Sequence, residues 1–108
     1  MTIFVMAMFL TAASAQDLDR GKSIYVAKCQ ACHGPGIKGD GPAARALPEK
    51  VPDMTTAEYW DDMTDEKLVS QIQVGKPGST MRAFPMKPEE MSALLAYMRT
   101  FASPLPPE

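Results

Sequence analysis

Cys29, Cys32 and His33 fall within the five residues CQACH; they are both cysteines and the only histidine of a 108-residue chain. Thiols and an imidazole this close have four chemistries open to them. They can pair as a disulfide, ligate zinc, run thiol redox chemistry, or hold a cofactor. A disulfide across two intervening residues closes a loop too short to staple much. Structural zinc takes four ligands, and this cluster has three side chains to give. Thioredoxin-like cysteine pairs sit at a helix start beside a βαβ pattern, and no strand pattern is legible here. The full CxxCH spacing is that of c-type haem attachment. Two thiols add to the two vinyl groups on adjacent edges of the porphyrin, and the next residue delivers its imidazole nitrogen to the iron.

A single histidine constrains the other face of the iron. Bis-histidine ligation within one chain is excluded, which leaves methionine, lysine, water or nothing for the sixth position. Met91 and Met98 belong to the apolar stripe of the last helix, and core packing accounts for them. Met54 and Met63 flank the acidic segment EYWDDM and read as core filler. Met81 lies in GSTMRAFPM, a loop between two helices with the freedom to reach a haem face, and Met86 shares that loop as the fallback.

The elements that must position these groups are helical. A first helix is expected over residues 17–32, with Asp17 as its cap. Gly21, four residues before Tyr25, costs such a helix about 1 kcal/mol relative to alanine, so it marks a close approach by another element. Glycines and prolines crowd residues 34–53, which makes that stretch a long loop wrapped around something, with one short helical turn at 43–47. Thr64 caps the next helix, Leu68, Ile72 and Val69 face inward, and Gly75 closes it. Residues 76–84 are again loop. Pro88, Glu89 and Glu90 open the last helix, and Met91, Leu94, Leu95, Met98 and Phe101 form its stripe. No repeat is present. The expected fold is all-α, with three to four main helices wrapped around one covalently bound haem and joined by long Gly/Pro-rich loops.

Residues 1–15, MTIFVMAMFLTAASA, read as a signal peptide. The apolar run from Ile3 to Leu10 is far too short to span a membrane, and Ala13-Ser14-Ala15 supplies the small-residue cleavage pattern. Cleavage after Ala15 leaves a domain at 16–103 and a flexible proline-rich tail at 104–108; an uncleaved anchor or a start further downstream is the alternative. Export implies a periplasmic protein with no membrane span in its mature chain. Thirteen acidic and eleven basic residues give a net charge of −2, with no basic block or stripe. That excludes nucleic acid as a partner.

Taken in order, Gly21 and Tyr25, CQACHG, GIKGDGPAARAL, TDEKLVSQI with Gly75, GSTMRAF and EEMSALLAYMRTF resemble a class I cytochrome c of the small bacterial monohaem type. The resemblance covers nearly the whole mature chain. It implies that Met81 is the axial methionine, with Arg82 where the family usually has proline. It implies that the Pro42 carbonyl accepts the second N–H of His33. Tyr59 or Trp60 would hydrogen-bond a haem propionate, with Arg45 a further propionate candidate. Gly21 and Tyr25 would meet Leu94 and Tyr97 where the end helices cross. The implied function is one-electron transfer and not catalysis, from a donor dehydrogenase or respiratory complex to an acceptor oxidase or reductase. Lys76, Arg82 and Lys87 around the methionine loop would steer docking, apart from the acidic cluster of Glu58, Asp61, Asp62, Asp65 and Glu66. The carrier would be a monomer or one subunit of a complex. Two other readings stand beside it: an open-site haem protein that binds a small ligand, and a haem-bearing subunit of a larger redox enzyme.

Overall fold

Ser14 is the first residue that the computed structural model describes, and Ala102 the last. Most of the expected leader and all of the 104–108 tail lie outside the described residues. Ser14 caps α1 (Ala15–Lys28), its Oγ accepting from the Asp17 N–H at 3.2 Å. The cap therefore stands three residues before the Asp17 expected from sequence. Asp17 occupies the first turn instead, where its charge meets the positive end of the helix dipole.

The single helix expected over 17–32 is two helices. α1 stops at Lys28, and α2 (Gln30–His33) resumes after Cys29. Cys29 has φ −118° and ψ −34°, and its N–H still donates to Tyr25 O at 2.8 Å. The break is therefore a local kink in a continuous path, placed at the first of the two cysteines.

α1 packs across α5 (Pro88–Arg99). A Cβ on Gly21 would lie 2.0 Å from the Ala93 carbonyl oxygen and 2.8 Å from Tyr97 Cβ, so no other residue fits at this crossing. The nearest atoms are the Ala93 carbonyl and the expected Tyr97, while Leu94, directly after Ala93, is fully buried in the core cluster with Tyr25. Tyr25 meets Tyr97 as expected, with ring centroids 5.6 Å apart. Met91, Leu95 and Met98 complete the buried stripe of α5, while Phe101 lies just past the helix end and packs edge-on to Tyr97.

α4 (Asp65–Val74) begins at Thr64, whose Oγ1 accepts from Lys67 N at 3.1 Å, and ends at Gly75 in a positive-φ conformation. It buries Leu68 and Ile72, with Val69 half-buried. The short helical turn expected at 43–47 is a 3-10 helix at Pro42–Ala46, shifted by one residue. α3 (Ala57–Asp61) is not expected from the sequence pattern. It is a five-residue segment capped by Thr56, whose Oγ1 accepts from Tyr59 N. Helices that short show no 3.6-residue period. Among the described residues there is no strand, and no helix is long and apolar enough to cross a membrane.

Candidate functional site

α1 delivers Cys29 at its C-terminus, and α2 presents Cys32 and His33 one turn later. The loop that follows then folds back onto α2. Gly39 N–H donates to His33 O at 2.8 Å, and Gly41 N–H to Cys32 O at 3.1 Å. A Cβ on Gly41 would sit 2.3 Å from Ala31 O, so this return pass is as close as backbone allows. Between them, Ile37 is fully buried and takes φ +52°. That conformation is strained for a β-branched residue, and it is held because Ile37 O accepts from Met54 N at 2.9 Å.

The result is a largely apolar cavity of about 500 Å³, bordered by Cys29, Cys32 and His33 on one side of the sequence and by Met81 on the other. Its size lies in the range of roughly 300–1,000 Å³ found for cofactor sites. Tyr59, Met54 and Met63 also line it, as does Met98 from α5. The two thiols are not bonded to each other. Burial pushes the Cys29 thiol up to about 11, with Lys28 opposing and Cys32 adding to the shift. Burial lowers the His33 pKa, which favours the neutral imidazole that metal ions bind. His33 Nδ1 is buried and has no hydrogen-bond partner among the described residues.

Met81 reaches the cavity from a loop with tight local bonding. Its N–H donates to Ser79 Oγ at 3.2 Å, and its carbonyl accepts from Lys76 N at 3.2 Å. Phe84 N–H donates to Ile72 O at 2.7 Å, tying the loop to α4. Arg82, at the family's proline position, lies over the Phe84 ring at 5.1 Å. Met86 is held apart: Gln73 donates through Nε2 to Met86 O at 3.0 Å and accepts from Met86 N at 3.1 Å. Met86 does not border the cavity.

Trp60, Arg45 and Pro42, expected at the haem site from sequence, do not border this cavity. Trp60 is off the cavity wall, and its Nε1–H donates to Met54 O at 2.6 Å, so that N–H is already used within the fold. Adjacent residues on a helix point about 100° apart, so α3 can present only one of Tyr59 and Trp60; it presents Tyr59. Arg45 is exposed on the 3-10 helix and borders a separate, smaller cleft. Pro42 opens that same 3-10 helix, and no bond joins it to His33 in this structure. Two residues not singled out by their sequence context matter here. Gln73 secures Met86, and Glu49 borders the cavity and bonds Thr80. Both act through contacts distant in sequence, so neither leaves a local signal.

The donor set suits haem: two free thiols, a half-buried imidazole whose buried Nδ1 is orphaned among the described residues, and a soft thioether around one apolar cavity. No curated protein matches the chain. Among solved structures it is similar to a chain of the Kuenenia stuttgartiensis reducing HAO-like protein complex, at 25% identity and a TM-score of 0.67. That likeness covers 78% of this chain and 42% of the other, so the chain spans less than half the length of its structural relative. The family model described as Cytochrome c matches residues 18–102, from the first turn of α1 to the end of the described fold. A match of that extent establishes membership: the chain belongs to the cytochrome c family, which implies covalent haem c and haem-based electron transfer.

Proposed function

We propose that this chain is an exported one-electron carrier whose single haem c is attached through Cys29 and Cys32 and ligated by His33 and Met81. The observation that carries the reading is the convergence of all four side chains on one apolar cavity. Bound haem supplies a one-electron Fe(III)/Fe(II) couple. The chain does the rest. Cys29 and Cys32 would anchor the ring by thioether bonds, and neutral His33 would give Nε2 to the iron. Its Nδ1 needs an acceptor, and the proposal keeps the Pro42 carbonyl for it, one residue beyond the Gly41 N–H that binds Cys32 O. Thioether from Met81 favours the reduced metal, which suits an acceptor of electrons from a dehydrogenase.

Were His33 and Met81 both to ligate the iron, no coordination site would be left for a substrate. That favours electron transfer over small-ligand chemistry. Burial raises the Tyr59 pKa, so its hydroxyl stays protonated and can donate to a propionate. Lys76 and Arg82 border the cavity and Lys87 follows on the same loop, a cationic set fit to meet an acidic face of a donor dehydrogenase or an acceptor oxidase or reductase. The periplasm is the expected location, reached through the leader at 1–15. A second reading, a haem-bearing subunit of a larger redox complex, is favoured by the likeness to a chain of the reducing HAO-like protein complex.

The test is a pyridine haemochrome assay after extraction of non-covalent haem. One haem should stay with the wild-type chain and none with the Cys29→Ser, Cys32→Ser double variant. Haem extracted freely from the wild type would overturn the attachment. Stopped-flow oxidation by a protein acceptor should slow with rising ionic strength, and a rate indifferent to salt would remove the steering role of the three cations.

A further inference from the structure

Two stretches far apart in sequence border the cavity at its solvent edge, the loop after the 3-10 helix and the methionine loop. One side chain joins them. Glu49 Oε1 accepts from the Thr80 backbone N–H at 2.6 Å and also from the Thr80 hydroxyl. Both residues line the cavity. Among the described residues, this pair provides the hydrogen bonds that connect residues 34–63 to the loop at 75–86.

Thr80 immediately precedes Met81. The rear of the methionine loop is fixed to α4 by Phe84 N–H to Ile72 O and by the two Gln73 bonds to Met86. Its front has no such attachment to a helix; Ser79 and Lys76 bond Met81 only within the loop. Thr80 is exposed, so apolar packing does not hold it in place. Met81 itself packs against the core, and among the described residues the Glu49 carboxylate makes the hydrogen bonds that connect the front end at Thr80 to a distant part of the chain. The Thr80 hydroxyl, and after it the Thr80 N–H, hold the Glu49 carboxyl below its usual range, as two donors on one oxygen should.

We propose that Glu49 is a positioning residue: by clasping Thr80 across the edge of the cavity it keeps the methionine loop closed and Met81 at the iron. This rests on the assignment of Met81 as the sixth ligand. Displacement of Met81 by an added ligand requires the loop to open, so the apparent affinity for that ligand reports the open population. Gln at position 49 keeps an amide oxygen that can accept both Thr80 bonds, whereas Ala keeps neither.

The experiment titrates oxidised holoprotein with imidazole and follows the methionine–ferric charge-transfer band. Wild type should show the band. Glu49→Ala should bind imidazole about ten-fold more tightly, while Glu49→Gln should stay within about three-fold of wild type. Thr80→Val, which removes the hydroxyl bond and keeps the N–H, should fall between them and decides the matter if Glu49→Ala yields no holoprotein. A role confined to global stability would move the urea midpoint and leave imidazole affinity at wild-type values. Wild-type affinity in Glu49→Ala, or in Thr80→Val where that variant decides, overturns the clasp while Met81 ligation stands. Glu49→Gln behaving like Glu49→Ala also overturns it, because charge and not the clasp would then be acting. A wild-type protein without the band overturns Met81 ligation itself, and the clasp with it.

Discussion

The Tyr25 hydroxyl donates to the Gly34 carbonyl, so a side chain of α1 grips the residue that follows His33. Tyr25 is fully buried. Burial, then the neighbouring Cys29 and Tyr97, raise its pKa, which keeps the hydroxyl protonated as a donor. Tyr25→Phe leaves the ring contact with Tyr97 and removes only this bond, so the Gly34 carbonyl keeps the longer bond from Ile37 N–H at 3.4 Å. The expected cost is about 0.5–1.5 kcal/mol. It should show as a lower urea midpoint at unchanged m-value. An unchanged midpoint would mean that the bond does not secure the end of α2.

Gly21→Ala pits two effects against each other. Alanine gains about 1 kcal/mol of helix propensity. Its Cβ would meet the Ala93 carbonyl oxygen at 2.0 Å, a backbone atom that cannot rotate aside. Forced overpacking costs typically about 1–3 kcal/mol, and so severe an overlap belongs at the upper end. Net destabilisation is expected, read as a lower thermal midpoint of the holoprotein. A raised midpoint would show that α1 and α5 do not cross this closely.

Arg99 ties α5 to two other helices, bonding Asp65 at the start of α4 and lying over the Trp60 ring of α3 at 5.0 Å. The ion pair is well exposed, at 39% for Arg99 and 65% for Asp65, and such pairs contribute about 0–1 kcal/mol. Asp65→Ala should therefore shift the urea midpoint little. Arg99→Ala also loses the stacking on Trp60, worth about 0.5–1 kcal/mol at a part-exposed site. Equal shifts from the two variants would show that the stacking contributes nothing.

Export predicts an intact mass that begins at Gln16 and includes one haem. Cleavage there removes Ser14, the cap of α1, and leaves Asp17 as the nearest residue able to cap the shortened helix. A mature chain that retains residues 1–15 would contradict the leader and support the anchor.

Much of this site is legible in CQACH, because covalent attachment and axial ligation both depend on local spacing. Gly21 is legible because a helix-weakening residue needs a reason, and contact with α5 is that reason. Its nearest atoms on α5 belong to Ala93 and to the expected Tyr97, since the stripe pattern marks a face and not which carbonyl lies nearest. The kink at Cys29 leaves no trace in a run of ordinary helix formers. α3 is too short for periodicity, so Tyr59 and Trp60 are equivalent in the sequence and only their positions on a helix turn separate them. Met81 and Met86 stand five residues apart in one loop, and what distinguishes them is Gln73, thirteen residues before Met86. Glu49 is thirty-one residues from Thr80. Such contacts are properties of the folded chain, and neither residue type announces them.

The central claim is that Met81, and not Met86, completes the coordination begun by His33. The direct measurement is the methionine–ferric charge-transfer band in oxidised wild type, Met81→Ala and Met86→Ala, with CO binding to each reduced protein. The account predicts the band in wild type and Met86→Ala, and its loss with rapid CO binding in Met81→Ala alone. Loss of the band in Met86→Ala with its retention in Met81→Ala would contradict it.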